Sequence, residues 1–397
     1  MNSAFVAAVV LAAAVGSAEP PVPTVYALHP GVLAAARERV RRDDPAVRPV
    51  LAALRAEADR ALELTPPSVM DKKQAAVSGD PHDYFSFGPY WWPDPATPDG
   101  RPYIRRDGQT NPAARQGTDR LPVQQMGDAF ESLAYAYFFT GREDYAQQAV
   151  RLLRAWFLDP ATRMNPHMRY AQAIPGVTDG RGIGIIEARY FMRCVEAYPL
   201  VFASPAWTKE DERGFREWLV AWRDWLRSSE NGRDEADEEN NHGTLYDVTL
   251  AQLDLMLGHV EEAKIHLASA TRQRIATQIT PDGRQPKELA RTRSFNYSML
   301  NLQALVQLAV LGEHVGVDAW SIETEDGRSL AAAFAFHAPF ADPAKEWIAD
   351  DIDRADRARI LPLLVEAVRH LDDAALRALL ARHDAQAPPE ARWRLFR

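Results

Sequence analysis

The stretch that decides the fold is residues 123–157, VQQMGDAFESLAYAYFFTGREDYAQQAVRLLRAWF. Apolar residues recur at helical spacing on both sides of Thr140-Gly141-Arg142-Glu143, which predicts helices over residues 123–139 and 144–157 joined by a short turn. Helices joined so closely pack against each other as a pair. A chain built from such pairs forms an α/α toroid or a solenoid.

Helical patterns continue on both sides of this pair. On the N-terminal side Val32, Leu33, Ala36 and Val40 recur at helical spacing, and a second run covers residues 46–64. On the C-terminal side helices are predicted over residues 185–202, 245–257, 260–279, 297–311, 330–340, 360–371 and 373–383. No repeat of fixed period is evident, which argues against tetratricopeptide-type repeats. No strand-rich segment is long enough for a β-sandwich domain, so the sequence predicts an all-α fold, an (α/α)n toroid or incomplete α/α barrel.

A tryptophan-rich stripe follows a predicted helix start at Thr208, which forms a capping-box pattern with Asp211. The stripe recurs at i, i+3, i+4 and i+7 and consists of Phe215, Trp218, Leu219, Trp222, Trp225 and Leu226. Such a stripe is more typical of a helix face packed in the core than of a sugar platform.

Two long segments, residues 80–120 and 160–184, hold no helical period and are rich in Pro, Gly, Asp and Asn. Loops of this length in a compact domain are usually functional or disordered, and the abundant aromatic residues of the first argue against disorder. Two interpretations stay open for residues 80–120: an aromatic mini-core under the loop, or a wall of a substrate cleft with Arg101, Arg105 and Arg106 offering charge.

The composition is that of an ordinary soluble protein, with 397 residues, 46% of them hydrophobic, and a net charge of −9. The negative charge argues against nucleic acid as a partner. An anionic substrate would need a local cationic cleft that overcomes the global field. Cys194 is the single cysteine, so an intrachain disulfide is impossible.

The N-terminus has the pattern of an export signal. Residues 4–16 are apolar, and Ser17-Ala18 precede Glu19-Pro20. Thirteen residues are too few to span a bilayer comfortably, whereas small residues before Glu19 suit signal peptidase. The sequence therefore predicts a signal peptide over residues 1–18 with cleavage near Ala18, a periplasmic or secreted protein without a membrane span, and one catalytic domain over residues 19–397, expected to be a monomer.

A first candidate site is the run Asn240-Asn241-His242, which lies between an acidic segment and a predicted helix. Side-chain amides can donate hydrogen bonds to a carboxylate, and an imidazole can exchange a proton near neutral pH. The simpler interpretation is an Asn helix cap followed by a surface histidine.

A second candidate site is the stretch Glu288-Leu289-Ala290-Arg291-Thr292-Arg293-Ser294-Phe295-Asn296-Tyr297-Ser298, followed by Asn301. Arg291 and Tyr297 are six residues apart, so they would not share a face of a straight helix. A bend near Ser294 could direct both side chains to one point.

Together these stretches resemble the alginate lyase superfamily, which includes polysaccharide lyase families 5 and 38 and has an α/α toroid fold. Two further matches are Gly88-Pro89-Tyr90-Trp91-Trp92-Pro93-Asp94-Pro95 with its sequel to Asn111-Pro112, and Asn165-Pro166 with Tyr170-Ala171-Gln172-Ala173-Ile174-Pro175-Gly176 and Arg181-Gly182-Ile183-Gly184. The resemblance covers roughly residues 50–320. The Arg-to-Tyr spacing is one residue shorter than in the mannuronate lyases, which favours a family 38-like enzyme and leaves the preferred uronate open.

The resemblance implies a catalytic set and a cleft that binds the substrate. By this resemblance the catalytic residues would be Asn241, His242, Arg291 and Tyr297. The predicted substrate-binding residues are Asn240, Arg293, Tyr90, Trp91, Trp92, Arg105, Arg106, Gln172, Tyr170, Arg181 and Asn301.

The implied function is cleavage of a 1,4-linked polyuronate (alginate, polymannuronate or glucuronan) by β-elimination. Asn241 and Arg291 would neutralise the carboxylate beside C5, so that negative charge can develop there. Tyr297 would move the proton if the neighbouring arginine lowers its pKa, and His242 would be the base where C5–H and O4 lie on opposite faces. No metal or cofactor is expected.

Two other functions stay open. A toroidal glycoside hydrolase would use paired carboxylates, for which the candidates are Asp237, Glu238, Glu239, Glu187 and Glu288. A noncatalytic helical protein would bind oligouronates without forming a product.

Overall fold

Helices dominate the computed structural model, in which 59% of the residues are helical and 5% are in strands. The structure describes residues 21–352, 356–385 and 387–397. The predicted signal peptide, residues 1–18, lies outside the described residues, so export and cleavage near Ala18 remain predictions from the sequence. None of the described helices is both long and apolar enough to cross a membrane.

The helices of the N-terminal half are α1 Val32–Arg41, α2 Arg48–Leu62, α3 Arg120–Thr140, α4 Glu143–Leu153, α5 Arg189–Ala197, α6 Lys209–Ser228 and α7 Glu230–Asp237. Those of the C-terminal half are α8 Asn241–Leu257, α9 Val260–Gln278, α10 Pro286–Leu289, α11 Ser294–Glu313, α12 Leu330–His337, α13 Leu361–His370 and α14 Ala374–Asp384.

The helix pair predicted from residues 123–157 is present as α3 and α4, which pack against each other. Gly141 ends α3 because its φ of 67° lies in the left-handed region, which costs a glycine little. The predicted capping box is also present at the start of α6. The Thr208 side chain accepts a hydrogen bond from the backbone nitrogen of Asp211, and the Asp211 side chain accepts one from the backbone nitrogen of Thr208. The tryptophan stripe is core, as predicted, with Trp222 fully buried and Trp218 nearly so.

The helices that position the site are α8 and α11, which pack against each other and also against α9. Nearly every residue of α8 and most of α11 are buried, including polar residues of α8 such as Asp247 and Asp254, so both helices lie in the interior rather than on the surface. Their first turns carry the two candidate motifs. The burial of α8 and α11 therefore fixes the positions of their N-terminal turns.

The two segments predicted to be irregular contain four short strands: β1 Phe85–Phe87, β2 Trp91–Trp92, β3 Ile104–Arg105 and β4 Tyr170–Ala173. Strand β1 pairs in parallel with β4, and β2 pairs in antiparallel fashion with β3. The β1–β4 pair joins the two segments, which are far apart in the chain. A small apolar cluster of Ala76, Phe85 and Ala173 lies beneath them, so the mini-core predicted for residues 80–120 exists.

Candidate active site

A cavity of about 580 Å³ opens where the two joined segments meet the first turns of α8 and α11. Seven arginines line it: Arg105, Arg120, Arg181, Arg189, Arg291, Arg293 and Arg359. Glu238 is the one carboxylate that the described part of the chain contributes to the lining. The cavity is thus cationic on a protein of net charge −9, which is the local reversal of charge that an anionic ligand requires.

Ten of the predicted site residues line this one cavity: Tyr90, Trp91, Arg105, Gln172, Arg181, Asn240, His242, Arg291, Arg293 and Tyr297. Residues from both long segments, 80–120 and 160–184, thus line the same cavity as His242 and Tyr297. Residues 80–120 thus form part of a cavity wall and also cover the small apolar cluster. Of the arginines expected to offer charge from this segment, Arg105 lines the cavity, whereas Arg101 and Arg106 do not.

Tyr297 lies in the first turn of α11, and its hydroxyl sits in a cluster of polar groups. The hydroxyl is 2.7 Å from the Tyr90 hydroxyl and accepts a hydrogen bond from Arg291 Nη2 at 2.9 Å. The Arg291 guanidinium carbon also lies 3.8 Å from the centre of the Tyr297 ring. The bend expected near Ser294 makes this possible, because α10 ends at Leu289 and α11 starts at Ser294.

The pKa of Tyr297 is opposite in direction to the expectation from sequence. Burial raises this pKa well above that of a free phenol, and the neighbouring Tyr90 raises it further. Arg291 lowers it, but by less than burial raises it. Tyr297 is therefore a neutral phenol near neutral pH, which suits it to donate a proton.

Arg291 is held in place by Asp107, a residue to which the sequence analysis gave no role. Its Nη2 donates to Asp107 Oδ1 at 2.8 Å and its Nε to Oδ2 at 3.2 Å. Thr292 adds two hydrogen bonds to Oδ2, from its backbone nitrogen and its hydroxyl. Burial raises the pKa of Asp107, but the hydrogen bonds and charge of Arg291 outweigh it and hold this pKa well below its usual range.

His242 is oriented by two neighbours in the acidic segment and the helix cap. Asn240 caps α8, its Oδ1 accepting from the backbone nitrogen of His242 at 2.8 Å. His242 Nδ1 lies 3.0 Å from Oε1 of the fully buried Glu235. Nε2 has no hydrogen-bond partner among the described residues, and the side chain lines the cavity. A proton on Nδ1 leaves Nε2 as the basic nitrogen.

Asn241 lies behind the cavity lining rather than in it. Its side chain is fully buried, and its Nδ2 donates to both carboxylate oxygens of Glu288, at 3.1 and 2.9 Å. Its Oδ1 has no hydrogen-bond partner within residues 21–352, 356–385 and 387–397. Direct hydrogen bonding from Asn241 to a substrate carboxylate, as the sequence predicted, would require its amide to leave Glu288.

Four predicted substrate-binding residues do not line the cavity. Asn301 is fully buried and its Nδ2 donates to Gln278 and Gln285, so it joins α11 to neighbouring chain segments. Tyr170 packs against the apolar cluster under the loops. Trp92 Nε1 donates to the carbonyl oxygen of residue 109, and the exposed Arg106 stacks over the Trp92 ring. In each case a polar or aromatic side chain has a structural partner that the sequence did not reveal.

The wall formed by the two loops is organised around the buried carboxylate of Glu187. It accepts hydrogen bonds from Tyr84 and Ser86 at 2.9 and 2.6 Å and from Gln172 at 3.2 Å, and it lies 3.1 Å from Arg120 Nη1. Gln172 has a positive φ of 53°, a strained conformation for a residue with a side chain. Arg181 donates to Gln172 Oε1 at 2.8 Å, which fixes both side chains at the cavity.

Replacing the buried carboxylate of Glu187 should destabilise the protein. Glu187→Gln leaves the largely buried Arg120 without its counter-ion, and the expected loss is about 3 kcal/mol in the free energy of unfolding. Denaturant unfolding would measure it. Glu217→Gln is the matched control, because Glu217 is exposed on α6 near Arg213 and should leave stability unchanged. Equal stability of both variants would show that the Glu187 cluster contributes little.

Several lining residues were not predicted: Arg120, Arg189, Asn296 and Arg359. Arg359 Nη1 donates to Asn296 Oδ1 at 2.9 Å, and Arg359 lies beyond residues 50–320, where the family motifs were found. Arg120 and Arg189 are the first residues of helices α3 and α5. An arginine at such a position is not part of a hydrophobic pattern that would indicate which way it faces. Only the folded chain brings them to the cavity.

The carboxylates proposed for a hydrolase do not form a pair in the cavity. Glu187 and Glu288 are buried and engaged with other residues, and Glu239 pairs with Lys287 on the surface. Glu238 alone lines the cavity among the described residues. Two opposed carboxyl groups, which glycoside hydrolysis needs, are thus not assembled here.

Comparison with known proteins places these observations in context. The sequence matches the family Alginate lyase over residues 68–347. An alginate lyase from Bacteroides ovatus is 38% identical, with a TM-score of 0.90 over 94% of this chain and 99% of that chain. Two variants of alginate lyase A1-III from Sphingomonas species A1, each in complex with a tetrasaccharide, share the fold at 16% identity and a TM-score of 0.51, covering 84% of this chain and 90% of theirs. A comparison with curated proteins finds no match. The predicted α/α toroid is confirmed.

Proposed function

This chain belongs to the alginate lyase family and is a polysaccharide lyase, and we propose that it cleaves alginate or a related 1,4-linked polyuronate by β-elimination in the arginine-lined cavity. The observation that carries the proposal is the meeting of Tyr297, Arg291 and His242 at this one site. A phenol, a guanidinium and an imidazole supply an acid, a positive potential and a base without paired carboxylates.

The elimination removes the C5 proton, forms the C4–C5 double bond and breaks the bond from C4 to the bridging oxygen O4. The proton is weakly acidic because the adjacent carboxylate is already negative. Charge must therefore be stabilised as it spreads onto that carboxylate. Arg291 and the arginines around it supply this potential, and Asp107 keeps the Arg291 guanidinium fixed as charge develops.

The geometry favours Tyr297 as the group that protonates O4. Its hydroxyl is neutral and receives a hydrogen bond from Arg291, which stabilises the phenolate once the proton has left. His242 Nε2 is the candidate base for C5, since Glu235 holds Nδ1. This pair serves linkages in which C5–H and O4 lie on opposite faces.

Where C5–H and O4 lie on the same face, Tyr297 can take the C5 proton and then donate a proton to O4. It must then first become phenolate, against the effect of burial. The substrate carboxylate would compete with Tyr297 for Arg291, so this route needs a rearrangement of the hydrogen bonds seen here. We therefore propose that linkages with opposite faces suit the present arrangement more directly.

Arg291→Lys should lower kcat/KM roughly tenfold to a hundredfold. The planar guanidinium donates hydrogen bonds to both Asp107 and Tyr297, and an ammonium group cannot reproduce that geometry. Steady-state rates on alginate oligomers would measure it. The same substitution at the exposed Arg106, which stacks on Trp92 outside the cavity, is the control and should leave the rate near that of wild type. A larger loss in Arg106→Lys than in Arg291→Lys would contradict the assignment.

A product screen tests the function itself. Purified enzyme is incubated with mannuronate-rich, guluronate-rich and alternating alginate blocks, glucuronan and pectate. Elimination creates an unsaturated uronate end that absorbs in the ultraviolet, whereas hydrolysis creates only new reducing ends. We expect new reducing ends and ultraviolet absorbance to rise together on at least one alginate block. Reducing ends without absorbance would identify a hydrolase instead.

A further inference from the structure

A second cluster of titratable side chains lies away from the catalytic cavity. His29 precedes α1, Glu313 is the last residue of α11, and His370 is the last residue of α13. One ligand atom from each lies within 4.8 Å of the other two. The cavity beside them is lined by different residues from the catalytic cavity. Three distant parts of the chain thus place two imidazoles and a carboxylate together.

The distances within this cluster are those of ligands around one small ion. His29 Nε2 is 3.1 Å from Glu313 Oε2, and His370 Nε2 is 3.0 Å from Oε1 of the same carboxylate. Ligand atoms about 2.0–2.1 Å from a tetrahedral zinc ion lie roughly 3.3 Å apart. The atoms Glu313 Oε2 and His370 Nε2 are buried, yet neither has a partner with hydrogen-bond geometry in the described part of the chain. Glu313 Oε2 faces His29 Nε2, and His370 Nε2 faces Oε1 of the same carboxylate. Buried polar atoms in such short contacts without a hydrogen bond call for a further group to satisfy them.

Surrounding contacts orient the three side chains in the manner usual for metal ligands. His29 Nδ1 lies 2.8 Å from the carbonyl oxygen of Pro30, so the proton belongs on Nδ1 and the lone pair of Nε2 faces the cluster. Trp320 Nε1 donates to Glu313 Oε1 at 3.1 Å. The Trp320 ring also stacks on His370, with centroids 4.6 Å apart and planes 5° apart.

We propose that His29, Glu313 and His370 bind a divalent transition-metal ion of the Zn²⁺ class through the two Nε2 atoms and the carboxylate. Two histidines and one glutamate are an established zinc ligand set. Water completes the coordination from the adjoining cavity. The ion joins the segment before α1 to the C-terminal ends of α11 and α13, so its role is to stabilise the fold. The proposal does not depend on the proposed function.

Metal binding can be measured directly on the full chain, prepared without a polyhistidine tag and treated with a chelator. Equilibrium dialysis against Zn²⁺ followed by elemental analysis should find one tightly bound ion per chain. Co²⁺ in its place should give the visible absorption of a four- or five-coordinate site. At a Zn²⁺ concentration a hundredfold above Kd, Tm should rise by about 3 °C for a chain of this length.

Two substitutions assign the ion to this cluster. Glu313→Gln keeps the shape and the bond from Trp320, and His29→Gln changes a half-buried residue near the N-terminus; each should weaken Zn²⁺ binding at least tenfold. The control His259→Gln alters a histidine that pairs with Glu262 elsewhere on the surface and should bind normally. Lyase activity should be the same in the His29→Gln variant and the wild type.

Two results would overturn the proposal. Stoichiometric binding that survives both substitutions would place the ion elsewhere. No binding of Zn²⁺ or Co²⁺ by the wild type would show that the cluster consists only of contacts among the three side chains. If the alginate screen gave no product, the metal-binding measurements would be unaffected, so a failure of one proposal can be distinguished from a failure of the other.

Discussion

Tyr297→Phe is expected to abolish turnover on every polyuronate that the enzyme accepts, while binding stays close to that of wild type. The substitution removes one hydroxyl and keeps the ring that packs against the Arg291 guanidinium. Proton transfer by a positioned acid typically contributes about 10²- to 10⁴-fold, and the departing O4 would lose its proton donor. The measurement is kcat on oligouronates of defined composition, followed by ultraviolet absorbance, with binding of the intact oligomer measured by calorimetry.

Tyr90→Phe is the matched control for this prediction. It removes the hydroxyl at the other end of the same 2.7 Å contact. Because Arg291 still donates to Tyr297, the loss in kcat should be much smaller. A near-normal rate for Tyr297→Phe would mean that another residue moves the proton. An equal loss in both variants would show that the two phenols act as one unit.

His242→Ala should divide the substrates into two groups. On linkages with C5–H and O4 on opposite faces it removes the base, and we expect a loss of about 10²- to 10⁴-fold in kcat. On linkages with both on one face Tyr297 can serve alone, and the loss should be smaller. Oligomers of a single uronate and linkage, assayed side by side, measure the difference.

Glu235→Gln refines the same test. It keeps an oxygen that can accept from His242 Nδ1 but removes the buried charge opposite the imidazole. The loss should fall between those of wild type and His242→Ala, and it should appear on the same linkages. Added imidazole should partly restore His242→Ala but not Glu235→Gln. Equal losses on all linkages would assign His242 to binding of the carboxylate rather than to proton transfer.

Local patterns were enough to predict most of the helical fold. Period, caps and breaks are properties of neighbouring residues, so the α3–α4 pair, the cap at Thr208 and the buried Trp222 follow from short stretches. The strands were missed because β1 and β4 are too short to show alternation, and their pairing depends on residues about 85 positions apart.

The site was predicted less completely, for a different physical reason. The family motifs identified Tyr297, Arg291 and His242, but the hydrogen-bond partners that orient these side chains lie elsewhere in the chain. Asp107 and Glu235 were visible only as members of a loop and an acidic run. The expected depression of the Tyr297 pKa was wrong because burial outweighs the nearby arginine, and burial is a property of the folded molecule.

The separations of the contacts at the site also set the order in which the protein assembles. The Tyr90–Tyr297 contact joins residues 207 positions apart, Arg291 and Asp107 are 184 apart, and Glu187 reaches Tyr84 over 103. Helix pairs such as α3–α4 close short loops and form quickly, whereas contacts at long separation pay a larger loop-closure entropy and form late. During refolding, helical circular dichroism should therefore return before catalytic competence, because the catalytic cavity is completed only when residues 184 and 207 positions apart have met.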